Sequence, residues 1–418
     1  MTPVQILCLI GLFLAALISL CFIYQLVYLF VPLFVKDRRK PQHILPLRYA
    51  ILIAARNEEQ VLPHLLHSIA LQDYPVDLID TYVVADNCTD CTAQVAAQGG
   101  AFVFCRNEPN RISKGRALAF LLDRIKEIGK YEQYDAFLVF DADNVLDKSY
   151  ITKINATCCA GYQAFCGYRN SKNFGSNWIS AGHAMWYLHD CVQLNLSRYL
   201  LGISCSVTGT GFGFTRRLLD KRGGWKFFTL TEDIEFSIWC ALKGIRIGYC
   251  NDAVLYDEQP EDLRFSFRQR VRWVQGTIQS SFLYFKRLVR GIRKKGKYGY
   301  TCLEHLTLTI WGYLLCALLG ILNTVLSLLA FGFVPTALAF LTLVAGALIY
   351  VLLTAALILI TQRKRIRATT AQRWKALIAY PLYLLSFIPI FFMALFSKYD
   401  WPPIEHKVAV SAEELNVK

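Results

Sequence analysis

Three stretches of this chain carry no charged side chain: residues 1–35, 306–361 and 376–397. A helix that crosses a bilayer needs about 20 consecutive apolar residues and must satisfy its own backbone groups. The first block reads as one retained anchor, with an interfacial turn near Pro32. It lacks the basic start of a secretory leader, and its apolar run is too long for one. The middle block holds two spans with a break near Phe331-Gly-Phe-Val-Pro335. The last block, with Pro381 and Pro389, is a third span or a re-entrant helix. The composition agrees: 55% of residues are hydrophobic and the mean hydropathy is +0.34, too apolar for an ordinary soluble protein.

Basic residues flank the spans, and such residues stay on the cytoplasmic side. They occupy residues 36–40, then Lys286, Arg287, Arg290, Arg293, Lys294, Lys295 and Lys297, then Arg363, Lys364, Arg365, Arg367, Arg373 and Lys375. The expected layout is an anchor at 1–35, a cytoplasmic domain at 45–276, a basic interfacial segment at 277–303 and two spans within 304–361. A basic cytoplasmic loop at 362–375, a spanning or re-entrant helix at 376–397 and a tail at 398–418 follow. The N-terminus is expected outside. The C-terminus is also expected outside, or inside if the last helix is re-entrant. The formal charge of +14 hugs the spans, which implies attraction to the lipid bilayer and not to nucleic acid.

Between the apolar blocks, strand-like runs at 49–54, 81–85, 101–105 and 136–140 alternate with helix-like stretches at 57–71, about 90–97 and about 113–128. Such alternation predicts an α/β domain with a mostly parallel, Rossmann-like sheet and flanking helices. Ligands of such sheets bind beyond the carboxyl ends of the strands. The turn after the first strand, Ala54-Ala-Arg-Asn-Glu-Glu59, has no G-x-G-x-x-G, so a dinucleotide site is not indicated. The fourth run ends in Asp141-Ala-Asp143. Alternate residues of a strand share a face, so two carboxylates would aim together and repel. Either the pair is a solvated turn, or it expects a divalent cation, for which hard oxygen ligands suit Mg²⁺ or Mn²⁺.

Other chemistry-bearing residues fall at similar places. Asp86 ends the second run and either accepts from a base or ribose or caps a helix with Thr89 or Asp90. Lys114 opens the third helix, where phosphate is favoured; the alternative is a solvated lysine. In Thr229-Leu-Thr-Glu-Asp233, Thr229 and Glu232 fit a capping box, which leaves Asp233 to act as a general base. In Gln269-Arg-Val-Arg-Trp273, helical spacing puts Gln269, Arg272 and Trp273 on one face; a basic helix lying on the membrane is the plainer alternative. Thr208-Gly-Thr-Gly-Phe-Gly213 is a flexible loop. His64 and His67 read as a solvated helix face, and Cys88 and Cys91 as ordinary thiols, since one pair cannot complete a zinc site.

Together these residues resemble the membrane-type family 2 glycosyltransferases, the group of cellulose, hyaluronan, chitin and poly-N-acetylglucosamine synthases. The resemblance rests on Asp86, Asp141 with Asp143, Asp233 in Thr231-Glu-Asp233, and Gln269-Arg-Val-Arg-Trp273, in that order. It implies a GT-A fold, a UDP-sugar donor and a polysaccharide or lipid-linked glycan acceptor. Asn57, Glu58 and Asp86 would meet the uridine, Lys114 the diphosphate, and Asp141 and Asp143 the metal. Gly209, Thr210 and Gly211, with Glu232 and Gln269, would line the acceptor side. Asp233 would take the acceptor's proton, and Arg272 and Trp273 would close over pyrophosphate and acceptor. The four expected spans are fewer than in the synthases that thread a polymer through themselves. The alternatives are transfer of one sugar to a lipid or polyprenyl phosphate, and a non-catalytic membrane component that binds or transports glycan.

Overall fold

The computed structural model describes residues 2–20, 22–37, 43–109, 113–294, 296–308 and 310–396, with 410, 412, 414 and 415 of the tail. Arg38, Arg39, Lys40 and Lys295, counted among the basic flanks, lie outside the described residues, as does most of the tail.

The chain runs through α1 (Pro3–Leu20), α2 (Tyr24–Phe34), β1 (Tyr49–Ala55), α3 (Leu62–Ala70), β2 (Ile79–Asp86), α4 (Thr92–Gln98), β3 (Phe102–Arg106), α5 (Lys114–Glu127) and β4 (Ala136–Asp141). There follow β5 (Val145–Leu146), α6 (Tyr150–Cys159), β6 (Ala164–Ser171), α7 (Trp178–Leu188), a π-helical turn (His189–Asn195), α8 (Leu196–Leu201), β7 (Phe212–Thr215), α9 (Arg216–Arg222), α10 (Glu232–Lys243) and β8 (Ile247–Asp257). Helices follow as far as Phe396: α11 (Leu263–Ile292), α12 (Lys297–Leu308), α13 (Ile310–Phe331), α14 (Phe333–Thr361), α15 (Thr370–Leu385) and α16 (Phe387–Phe396).

The eight strands form one sheet in the order β3-β2-β1-β4-β7-β6-β8-β5. The pairs β1–β2, β1–β4, β2–β3 and β6–β8 are parallel; β7 is antiparallel to β4 and β6, and β5 to β8. Period-two alternation divides β1 and β4 between two buried layers. Ile51, Ile53, Leu138 and Phe140 point into one, and Leu52, Phe137 and Val139 into the other. Side chains on both faces of the central strands are withheld from water, so only their ends can carry polar groups. Ala54 of β1 sits opposite Asp141 of β4. Asp86 at the end of β2 pairs in register with Arg106 of β3.

The second layer does not stop at the α/β domain. It continues through α7 into Ala355, Ile358, Tyr380 and Tyr383 of the C-terminal helices. At Gly182 of α7 an added Cβ would lie 2.4 Å from the Tyr383 ring, so the glycine permits this contact. Arg270 of α11 is buried in the same seam, over the Tyr383 ring at 4.5 Å and donating to Ser386 Oγ at 2.5 Å.

Among the described residues, three helical stretches are long and apolar enough to cross a membrane: Leu314–Phe331, Phe333–Thr361 and Thr370–Phe396. The break between the first two falls at Gly332, as expected, where φ is +82°. The N-terminal block differs from expectation. It divides into two shorter apolar helices near Phe22, and Pro32 lies inside α2 instead of at a turn. α15 starts at the basic loop whose Arg365 donates to Asn251 O at 2.8 Å and pairs with Asp252 at 3.0 Å. Past α16, Val410, Ala412 and Leu415 pack on Val145 and Tyr256 of the α/β domain. These described tail residues therefore lie beside that domain, which agrees with the re-entrant alternative for the last helix and not with an outside C-terminus. A reporter fused after Lys418 should score on the same side of the membrane as one placed at Arg365; opposite sides would contradict this packing.

Candidate active site

The carboxyl ends of β1, β2 and β4 open on one cavity of about 1230 Å³. Glu58, Asp86, Lys114, Asp141, Asp143, Gly209, Glu232, Asp233, Gln269, Arg272 and Trp273 all line it. Residues separated by almost the whole α/β domain in sequence thus share one wall.

Asp141, Glu232 and Asp233 all bear on the Lys114 ammonium. The Lys114 ammonium contacts the Asp141 carboxylate and donates to Gly209 O at 2.7 Å. Burial alone would push the Lys114 pKa down, but the charges of Asp141, Glu232 and Asp233 hold it above its ordinary value. The same pairing holds Asp141 below the carboxylate range although burial opposes it. Burial pushes Asp233 up, against the pull of the Ile234 N–H, Lys114 and Arg272. Its neighbour Glu232 is pushed up to about 7, by burial first and by Asp233 second.

Two glycines make this convergence possible. A Cβ on Gly115 would lie 2.0 Å from Phe227 O, and one on Gly276 would lie 2.5 Å from Thr231 Cγ2. α5 and α11 therefore both press against the segment that leads into Asp233. α11 starts on the Asp262 side chain, which accepts from Phe265 N–H at 2.9 Å, and presents Gln269, Arg272 and Trp273 together. Arg272 donates to Leu230 O at 3.4 Å. The Trp273 ring meets His183 and Tyr187 edge-on, at 5.5 and 5.8 Å between centroids.

Several expectations need correction. β4 ends at Asp141, and Asp143 lies in the turn that follows. Turn geometry, not strand alternation, brings both to the cavity. Thr210 and Gly211 lie behind the wall. Thr210 Oγ1 accepts from Asp141 N–H at 2.9 Å and so fixes the end of β4. Gly211 has φ +64°, and a Cβ there would lie 2.0 Å from Leu255. Asn57, at φ +58°, is also outside the lining; its Oδ1 accepts from Thr89 N–H at 2.8 Å and ties two loops together. The capping box of Thr229 and Glu232 does not form. α10 begins at Glu232 with Thr231 as its cap residue, and it is Glu235 that accepts from Phe228 and Thr229 N–H, at 2.8 and 3.0 Å. Asp86 caps no helix: it is buried on Arg106 at 2.6 Å, while Asp90 accepts from Thr92 N–H at 3.0 Å.

Among the lining residues that the sequence reading missed, four stand out. Arg169 bonds Asp257 through Nε at 3.0 Å, donates to Thr208 O at 2.8 Å, and stacks over Tyr187 at 3.6 Å. It links the strand ends to the ring that holds Trp273. Asp257 ends β8 just as Asp141 ends β4, so the same logic of a carboxylate closing an apolar strand would have found it. Asp190 sits in an apolar run, itself a signal. For Tyr187 no sequence signal distinguishes it from core.

A divalent cation fits Asp141 and Asp143 only in part. Among the described residues, no group of three or more His, Cys, Asp or Glu converges as a ready metal cage. Two hard oxygens suit a cation whose remaining ligands are phosphate oxygens and water. The glycine contact is directly testable. Gly276→Val should destabilise the protein by about 1–3 kcal/mol through overpacking, read as a lower denaturation midpoint in detergent; an unchanged midpoint would contradict the contact with Thr231.

Comparison with known proteins places these features in a family. Residues 46–276 match the model of "Glycosyltransferase like family 2". The chain is 25% identical over 271 residues to the probable glycosyltransferase YdaM of Bacillus subtilis, covering 60% of this chain and 59% of that protein. It is 25% identical over 251 residues to the beta-monoglucosyldiacylglycerol synthase of Synechocystis sp., covering 56% and 49%. It is 26% identical over 230 residues to the poly-beta-1,6-N-acetyl-D-glucosamine synthase of Staphylococcus aureus, covering 54% and 53%. The matches span about half to three fifths of these relatives. The fold is similar to that of the mannosyltransferase PcManGT from Pyrobaculum calidifontis, a structure in complex with GDP-Man and Mn²⁺, with TM-score 0.55, 17% identity and coverage of 92% of this chain and 100% of that one. The sheet order and the GT-A likeness agree with the sequence match, and the chain belongs to the glycosyltransferase family 2.

Proposed function

We propose that the protein is a membrane-bound, metal-dependent, inverting glycosyltransferase. It moves a sugar from a UDP-sugar to a glycan or to a lipid acceptor during cell-envelope synthesis. The observation that carries this reading is the single cavity shared by Asp86, Lys114, Asp141, Asp233, Arg272 and Trp273. The named relatives that make glycolipid or polysaccharide lend support, as does Mn²⁺ in the similar mannosyltransferase.

Each residue then has a physical task. Asp233 takes the proton of the acceptor hydroxyl. The freed oxygen attacks the anomeric carbon, and the bond from that carbon to the diphosphate oxygen breaks with its electron pair. Negative charge grows on the diphosphate, and preformed cationic groups lower that barrier. Lys114 exchanges its Asp141 partner for phosphate oxygens, and Arg272 faces the same charge from α11. Mg²⁺ or Mn²⁺ held by Asp141 and Asp143 would neutralise charge on the departing group. Trp273 offers a flat face to the acceptor. One base and one displacement invert the anomeric centre. Asp86, already ion-paired, accepts from the donor's base or ribose, next to Glu58.

The chain is read as multi-pass in the plasma membrane with the α/β domain cytoplasmic. The basic residues of 286–297 and 363–375 support that orientation, because Arg365 contacts the α/β domain.

A donor screen with the purified full chain should show UDP release from at least one UDP-sugar, abolished by EDTA, and NMR should show an inverted linkage. Asp233→Asn should lower transfer by about 10²–10⁴-fold with UDP affinity retained; near-normal transfer would remove Asp233 as the base. The pH dependence follows from the raised pKa of Asp233. The base works only as a carboxylate, and a raised pKa returns its proton at a higher pH than usual. The acid limb of kcat/KM should therefore lie above the ordinary aspartate value of about 4. A limb within the ordinary range would mean that burial does not tune this group.

A further inference from the structure

The cavity has a second limb. From Asp233 and Trp273 it continues past Asp190 into the space between α13, α14 and α16. There its walls include Leu318, Ile321, Val351, Phe391, Phe392 and Leu395. None of these six side chains offers a hydrogen bond; Tyr350 and Thr354 of α14, on the same wall, are polar exceptions. Leu318 and Ile321 are also 57% and 65% exposed, and both belong to α13, which is long and apolar enough to cross a membrane. The limb thus opens sideways among hydrocarbon while its other end reaches the reacting groups.

That shape discriminates between acceptors. A glycan chain carries hydroxyls around every ring, and each one buried without a partner costs about 2 kcal/mol or more. An alkyl chain meets no such cost and never has to leave apolar surroundings. The neck between the limbs also selects a head group. Asp190 lies there, held by Asn195 Nδ2 at 3.0 Å. The nearby Arg198 guanidinium is committed to Glu304 and to Asn195 Oδ1, both at 3.0 Å. His189 and His305 also line the neck, and burial pushes their pKa values down to about 4 and about 3, which leaves both neutral at pH 7. Arg198 and Arg169 both act on Asp190, but they are committed to Glu304 and Asp257, so neither is left for a phosphate, whereas a neutral hydroxyl needs no such partner.

We infer that the acceptor is a lipid alcohol, whose uncharged hydroxyl head passes Asp190 to reach Asp233 while its alkyl chains occupy the limb between α13, α14 and α16. This rests on the reading of Asp233 as the base. The balance is that of the transfer above: the lipid oxygen gains the sugar, UDP leaves with the electron pair, and the hydroxyl proton goes to Asp233.

The test uses the full chain in phosphatidylcholine nanodiscs containing 1,2-dioleoylglycerol, with a labelled UDP-sugar that the donor screen finds active. Label should pass into the organic phase. Ala317 and Ile321, both of α13, line the limb; Ala317→Trp and Ile321→Trp, which fill it away from the reacting groups, should lower that transfer by about tenfold or more, with UDP affinity within about twofold of the unmodified protein. In the unmodified protein, glycerol should be a far poorer acceptor than dioleoylglycerol, which tests the limb without any substitution. Label found in a water-soluble saccharide would overturn the inference. So would label on polyprenyl phosphate alone, or lipid transfer indifferent to both substitutions and to the loss of the acyl chains. Absence of UDP binding and of UDP release from every donor would instead overturn the glycosyltransferase reading of the site, a result distinct from a change of acceptor.

Discussion

The Lys114 ammonium is the contact on which the site depends. It faces Asp141 directly and carries the fields of Glu232 and Asp233. Without a cation there, carboxylates from β4 and α10 would oppose one another in a cavity partly withdrawn from water, where repulsion is poorly screened. The lysine reaches this place because Gly115, the next residue, lets α5 touch the Phe227 carbonyl. Gly276 gives α11 the same closeness to Thr231. Two residues without side chains thus set the spacing among groups that have strong charges. The lysine is also a placeholder: a diphosphate entering the cavity brings the negative charge that Asp141 now supplies.

A second dependence joins the site to the apolar helices. The core beneath the sheet runs through α7 to Tyr380 and Tyr383 without a polar boundary, and Arg270 is sealed into that seam. The α/β domain and the C-terminal helices therefore share packing, and interiors packed at crystal-like density transmit displacement instead of absorbing it. Trp273, three residues beyond Arg270 on α11, is fixed by the same seam. This is the structural reason why one cavity has both a polar and an apolar limb.

Much of the architecture is legible in local pattern. The four expected strands appear with ends shifted by a residue or two, because alternation of buried side chains on both sheet faces leaves few other registers. The break at Gly332 follows from a residue that tolerates positive φ. The failures have local causes as well. Thr229 and Glu232 have the spacing of a capping box, but Glu235 takes the exposed N–H groups and the helix begins later. Thr210 and Gly211 look like a flexible binding loop, yet one hydroxyl is spent on the end of β4 and the other residue is pressed on Leu255. The break in the N-terminal block falls near Phe22, where no proline or glycine announces it.

What the sequence by itself determined is the inventory: apolar blocks around an α/β domain, carboxylates closing apolar runs, and a helix face carrying Gln269, Arg272 and Trp273. These depend on neighbours a few residues away, and periodicity reports such neighbours faithfully. What only the tertiary structure decided is which of these groups share a space. Lys114 meeting Asp141, Arg169 tying Asp257 to Tyr187, and the tail returning to Tyr256 all join residues far apart in the chain. No local spacing encodes such pairings, because they are fixed by how sheet and helices pack as a whole.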